Sequence, residues 1–381
     1  MINYYGGVSE MTTPLWFLSN IAIKAEKHLI EYCLDYNLYI YLKTVSYMLK
    51  KEWKDLGYIN EPIAENIDIK AEIRRMCEEK NAVILAHYYT EGEIQDIADF
   101  VGDSLALAQW AAKTDADIIV MCGVHFMAET NKILCPNKKV LTCDLNAGCS
   151  LADSCKADDL KAFIDEHPGY KVVSYVNTTA AVKALTDVVV TSSNAKLIVD
   201  SFPKEEKLIF GPDKNLGNYI NSITGRDMLL WNGGCHVHAQ FSFELIQKLK
   251  DENPDAKLLV HPECPKPIQL IADVIGSTAN LLDYAVKNEC QKFIVATESG
   301  ILHKMKQACP DKVFIPAPPE STGVGCQCNV CSYMRLNNLN KLYNTLKYEW
   351  PEIFVDEDIA EKALRPINRM LDISKQLNKQ K

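Results

Sequence analysis

Three short polar clusters recur in a chain otherwise rich in apolar runs: His87-Tyr88-Tyr89, Tyr175-Val176-Asn177 and His261-Pro262-Glu263. Imidazole, phenol and carboxylate are the groups that move protons in catalysis. The clusters are offset by 88 and then 86 residues, and each is followed 17 positions on by a small hydroxyl residue, Ser104, Ser192 or Thr278. Each unit then closes on a cysteine, with Cys149, Cys235 and Cys331 lying 62, 60 and 70 residues after the start of their clusters. Such regularity implies one unit used three times. If the three units pack around a common axis, three thiols and three polar clusters meet at its centre. Three thiolates can hold an iron-sulfur cluster while leaving one iron open as a Lewis acid.

The elements that must position these groups follow from the apolar runs. Ala82-Val83-Ile84-Leu85-Ala86 and Asp187-Val188-Val189-Val190 read as strands buried on both faces, separated by helical patterns. That alternation predicts parallel sheets covered on both sides by helices. The expected fold is α/β: three homologous three-layer αβα domains in pseudo-threefold arrangement around a central active site. Expected bounds are 1–65 for an N-terminal extension with no chemical motif, 66–155 for the first domain, completed by 345–381, then 156–247 and 248–344. In open parallel sheets ligands sit beyond the carboxyl ends of the strands, where the three polar clusters fall. Ser104, Ser192 and Thr278 precede helical stretches. One such residue is an ordinary N-cap, but three in register suit a shared site for an anion.

Composition narrows the function. A net charge of -9 in 381 residues offers no basic face for nucleic acid. A run of about 18 apolar residues, the mark of a membrane span, is missing. Fourteen cysteines without a secretory leader point to reduced thiols in the cytoplasm rather than to a disulfide scaffold. Cys122, Cys135, Cys143, Cys155, Cys264, Cys290 and Cys309 read as small buried hydrophobes. Two alternatives stay open for the last thiol group: a zinc site from Cys326, Cys328 and Cys331 with His236 or His238, or a reversible Cys328–Cys331 disulfide. A zinc hydrolase does not explain thiols that follow the repeat, and a cluster-bearing sensor needs neither Glu263 nor three anion sites. His125, His236 and His238 lack support from the repeat and read as structural.

From about Asn81 to Asp372 the chain resembles the quinolinate synthases, the A proteins of bacterial NAD biosynthesis. The resemblance rests on Ala86-His87-Tyr88-Tyr89, Gly102-Asp103-Ser104-Leu105, Gly123-Val124-His125-Phe126-Met127-Ala128-Glu129-Thr130, Gly211-Pro212-Asp213-Lys214-Asn215-Leu216-Gly217, His261-Pro262-Glu263, Gly276-Ser277-Thr278, Val295-Ala296-Thr297 and Pro366-Ile367-Asn368-Arg369-Met370-Leu371. It implies an enzyme that condenses iminoaspartate with dihydroxyacetone phosphate to quinolinate, releasing phosphate and water. Iminoaspartate would come from L-aspartate oxidase or aspartate dehydrogenase. The resemblance also implies one 4Fe-4S cluster held by Cys149, Cys235 and Cys331, the last chosen because Met334 follows it as in the family. Repeat and resemblance together give Glu263 as general base, with His87, Tyr89 and His261 as proton donors and carboxylate binders. Tyr175 and Asn177 would orient the substrate, Ser104, Ser192 and Thr278 would bind its anionic oxygens, and Met127 would pack against it.

Overall fold

The strand Ala82–His87 (β1) is buried along almost its whole length, so it needs cover on both faces and sits inside a parallel sheet. In the computed structural model, which describes residues 51–320 and 329–375, β1 pairs with Phe100–Gly102 (β2) and Ile118–Cys122 (β3), and β3 with Lys139–Thr142 (β4). The pattern repeats in Lys171–Tyr175 (β5), Val188–Val190 (β6), Leu208–Gly211 (β7) and Leu229–Leu230 (β8), and again in Lys257–Val260 (β9), Val274–Ile275 (β10), Lys292–Ala296 (β11) and Val313–Pro316 (β12). The sheet orders are β2-β1-β3-β4, β6-β5-β7-β8 and β10-β9-β11-β12, with every pairing parallel. Three αβα units are thus present, as the apolar runs predict. Residues 1–50 of the expected extension, and Cys326 and Cys328, lie outside the described residues, and with them the zinc and disulfide alternatives.

In each sheet the first strand is flanked by the second and third, so the chain leaves it once in each direction. A crevice opens at the carboxyl end of such a strand. His87 and Tyr175 are the last residues of β1 and β5, and His261 follows β9 directly.

A repeated aspartate fixes the amino end of the second strand in each sheet. Asp99, Asp187 and Asp273 stand 12 positions after the start of their clusters. Their Oδ2 atoms accept the backbone N–H of Ile84, Val172 and Leu258 at 2.7, 2.8 and 2.7 Å. Each aspartate N–H in turn donates to the carbonyl of the same strand residue, at 2.9, 3.0 and 3.0 Å. The two-way clasp sets the register in which the second strand of each sheet joins the first.

The cores are shared unequally. One apolar cluster runs through the first and second units, from Leu85 and Met121 to Val173 and Phe210. The third unit has its own, Leu258 and Ile294 on one face of its sheet and Phe293 and Met305 on the other. The helix Leu339–Tyr348 packs on Ile69–Glu79 and β4. The final helix, Glu357–Ser374, buries Ala363, Ile367 and Met370, and lies mainly against β6 and Ala180–Ala184 of the second unit while also touching His125–Leu134 of the first.

Asp273→Ala removes the acceptor while Leu258 N–H stays partly buried, and should cost about 1–3 kcal/mol. Asp273→Asn keeps an acceptor and should cost less. Denaturant unfolding of both variants checks this, and an unchanged midpoint for the alanine variant would remove the clasp from the account.

Candidate active site

The carboxyl ends of the three sheets face one cavity. His87 and Tyr89 line it from the first unit, Tyr175 and Asn177 from the second, and His261 and Glu263 from the third. Ser104, Ser192, Thr278 and Met127 line it as well, and so do Cys149, Cys235 and Cys331. Every residue given a catalytic, binding or ligand role from the sequence therefore reaches the same space.

The three thiols share a local design. Cys149 stands at the N-cap of Ser150–Asp153, Cys235 at the N-cap of His236–Ala239, and Cys331 just before the 3₁₀ turn Met334–Leu336. Burial pushes each thiol up, Cys149 to about 12, and backbone N–H groups oppose it in all three. Those N–H groups come from Leu151 and Ala152, Val237 and His238, and Tyr333 and Met334, always two and three residues on. Such donors stabilise a thiolate over a thiol. The loops also interlock. His236 donates or accepts at Ser150 Oγ, 2.9 Å away, and meets the Tyr333 ring edge-on. Most other described thiols are buried in the cores as expected, whereas Cys290 is half-buried against Asp255 and Lys292 carbonyls.

Glu263 is the buried hub of the polar groups. Its Oε1 accepts from the Tyr175 hydroxyl at 2.6 Å, and its Oε2 lies 3.1 Å from His238 Nδ1. That imidazole edge is close but not aligned as a hydrogen bond, leaving Nδ1 without a formed partner. His238 Nε2 is 3.0 Å from Thr297 Oγ1, which is 2.8 Å from the Tyr89 hydroxyl, itself 2.8 Å from Thr278 Oγ1. A chain of protonatable groups, hydrogen-bonded except at the Glu263–His238 contact, thus runs from Tyr175 in the second unit to Tyr89 in the first. Burial pushes the Glu263 carboxyl up, but the neighbouring imidazoles, His238 foremost, and the Tyr175 hydroxyl outweigh it and hold it below the carboxylate range. Burial and the Glu263 charge keep both phenols protonated.

The first and third clusters set their histidines alike. Tyr89 N–H donates to His87 Nδ1 at 3.2 Å and Glu263 N–H to His261 Nδ1 at 3.4 Å. A neutral ring that accepts at Nδ1 carries its proton at Nε2. His261 Nε2 then meets Ser192 Oγ at 3.3 Å. The helix starts differ from the expected N-caps. Asp103 and Ser277 are the caps, accepting from Ala106 and Asn280 N–H, so Ser104 and Thr278 are first helical residues with hydroxyls free of capping duty. In the second unit the helix begins later, at Ala195, and Ser192 sits in the turn before it.

Four residues were not assigned to the site from sequence. From sequence His238 reads as structural, since the other two thiol turns carry no histidine at its place. Thr297 was part of a motif but carried no role. Asp213 and Glu298 directly follow the Pro212 and Thr297 positions after the third strands, and they receive the N–H of Cys235 at 3.3 Å and of Cys331 at 3.1 Å. Their signal lies in the repeat itself, since each stands two positions past the end of the third strand of its unit, 38 and 37 positions after the start of its cluster. The donor atoms of Cys235, His238 and Glu263 lie within 4.8 Å of one another, close enough to hold a single ion. That set would leave Cys149 and Cys331, with their matching N–H donors, unexplained.

Burial, then the charge of His261, draws His87 down to about 3. Below its ordinary value of about 6.5 the unfolded chain binds a proton that the native residue refuses, so stability is full above that pH and falls as pH drops toward the native value. By pH 5 the loss should reach about 2 kcal/mol. Denaturant unfolding at pH 7.5 and pH 5 should show a shallower drop for His87→Gln than for the parent protein.

Among proteins of known family, the model for the quinolinate synthetase A protein matches residues 71–372. A quinolinate synthase of Chloroherpeton thalassium is 52% identical over 316 residues, covering 83% of this chain and 98% of the relative. Those of Trichormus variabilis and a Nostoc species are 55% and 54% identical, each over 81% of this chain and 94% of the relative. With that extent of match, over the same residues that build the cavity, the chain belongs to the quinolinate synthase family.

Proposed function

We propose that the protein makes quinolinate by condensing iminoaspartate with dihydroxyacetone phosphate, releasing phosphate and water. The observation that carries this reading is the convergence of three proton-active clusters, three hydroxyls and three thiols on one cavity. An enzyme that supplies iminoaspartate, L-aspartate oxidase or aspartate dehydrogenase, would be its upstream partner. The domain bounds given from sequence remain part of the proposal. No helix among the described residues is long and apolar enough to cross a membrane.

Cys149, Cys235 and Cys331 would hold a 4Fe-4S cluster, and their paired backbone N–H donors fit thiolate sulfurs better than buried thiols. When bound, such a cluster supplies an open iron as Lewis acid. The protein's own groups do the rest. His87 and His261 present Nε2–H to substrate carboxylates, and Ser104, Ser192 and Thr278 give hydroxyl contacts to carboxylate and phosphate oxygens. Asn177 Oδ1 is buried without a partner, which suits an N–H of the enamine. Met127 closes the apolar wall and helps to exclude water. Glu263 takes a carbon-bound proton and His238 stabilises the carboxylate between transfers. Thr297 and Tyr89 extend the path by which a proton returns to a departing hydroxyl. Tyr175 donates to the carboxylate and fixes its orientation.

Anaerobic assay of quinolinate formation, with iron and sulfide measured on the same sample, tests the reading. Product with about four irons per chain, one cubane, supports it; zinc in place of iron overturns it. Glu263→Gln should lower kcat by about 100-fold or more with iron content unchanged, the range of a general base. Cys149→Ala should lose the iron as well as the activity.

A further inference from the structure

The repeat carries another set of polar residues that no proton chemistry requires. Eight positions after His87, Tyr175 and His261 stand Gln95, Lys183 and Gln269. Each lies in the helix that follows its cluster, Gly92–Ile97, Ala180–Ala184 or Lys266–Leu270, and each is buried. Their terminal nitrogens make the same bonds. Gln95 Nε2 donates to the carbonyls of Tyr88 and Thr90 at 3.0 and 2.9 Å, and Gln269 Nε2 to those of Pro262 and Cys264 at 2.8 and 2.8 Å. Lys183 Nζ donates to Val176 O at 2.9 Å and to Thr178 O. In every unit the tied carbonyls belong to the first and third residues after the cluster start. The cluster start and the residue two later are therefore held facing the cavity.

The second unit departs from the other two in one respect. Neutral amides tie the first and third turns, whereas a fully buried ammonium ties the second, although burying a charge costs far more than burying an amide. Among the described residues no ion pair is formed by Lys183, and Glu129 is the acidic side chain that acts on it electrostatically. Its Nζ lies 5.4 Å from the centre of the Phe126 ring, and Phe126 lines the cavity. Burial lowers its pKa to about 8, which leaves it mostly charged at pH 7.

We propose that Gln95, Lys183 and Gln269 are the positioning residues of the three binding turns, and that the Lys183 charge selects for an anionic group at the Phe126–Asn177 end of the cavity. The geometry supplies both halves: a common pair of carbonyl bonds, and a cation one ring behind the wall. The inference rests on the quinolinate synthase reading, in which substrate and product are dicarboxylates.

The test compares Lys183→Gln, which keeps a donor and loses the charge, with Lys183→Met, which loses both. Quinolinate and the monocarboxylate nicotinate are titrated into each protein, and kcat and KM are measured beside iron content. A parent protein that neither makes nor binds quinolinate would sink the functional reading, not this one. With an active parent, Lys183→Gln should keep kcat within about threefold and bind quinolinate about tenfold more weakly, narrowing its preference over nicotinate, as expected for losing a buried charge close behind the cavity wall. Lys183→Met should also lose kcat by about tenfold or more. Undiminished quinolinate binding in Lys183→Gln refutes the charge, and parental kcat and KM in Lys183→Met refute the positioning. Should Lys183→Met fail to fold, Gln269→Lys against Gln269→Leu decides the positioning. Gln269→Lys should retain activity and Gln269→Leu lose it, and equal activity in the two would overturn the idea.

Discussion

Burying a carboxylate away from water is unfavourable unless its oxygens find donors, and Glu263 is the place where that constraint organises the molecule. One oxygen is met by a phenol from the second unit and the other faces an imidazole carried by the second thiol loop. Neither donor belongs to the unit that carries Glu263. The carboxylate is therefore stable where it is only when the units are docked, which couples assembly of the site to the fold as a whole.

The same logic recurs at the thiols. A thiolate buried there would be as costly as a carboxylate, and each of the three sulfurs is met by two backbone N–H groups from the turn that it begins. Asp213 and Glu298 then fix the second and third of those turns by accepting the cysteine N–H groups. Glu298 also accepts from Gly300 N–H and pairs with Arg335. Gly300 has a reason of its own, since a Cβ there would come within 2.8 Å of the Tyr89 backbone. Close approach of the third unit to the first is what lets Gln95 reach Gly300 O while it ties its own turn.

Triplication has left a scaffold whose backbone devices are nearly identical and whose chemistry is not. Aspartates twelve residues after each cluster start clasp the strands in all three units. At the cluster itself the units diverge: imidazole and phenol, phenol and carboxamide, imidazole and carboxylate. Equal geometry with unequal side chains is how a symmetric frame builds an asymmetric site. The hydroxyl positions show the cost of reading that frame too literally. Ser104 and Thr278 begin their helices, but Asn194 delays the second helix and leaves Ser192 in a turn.

Strand runs, the repeat and the cavity-facing residues were legible in the sequence because they depend on local order. An apolar run buried on both faces and a polar residue at its carboxyl end occupy a few consecutive positions, and repetition made each visible three times. The regular donors at Gln95, Lys183 and Gln269 stood in the same register and went unread because a glutamine or lysine in a helix ordinarily faces solvent. Which groups would pair was not written locally. Tyr175 and Glu263 are 88 residues apart, and His238 reaches Glu263 from the turn after Cys235, where the other two thiol turns carry Ala152 and Met334. Only the packing of three sheets decides such contacts, since hydrogen bonds act over about 3 Å and the chain brings those atoms together by folding, not by sequence spacing.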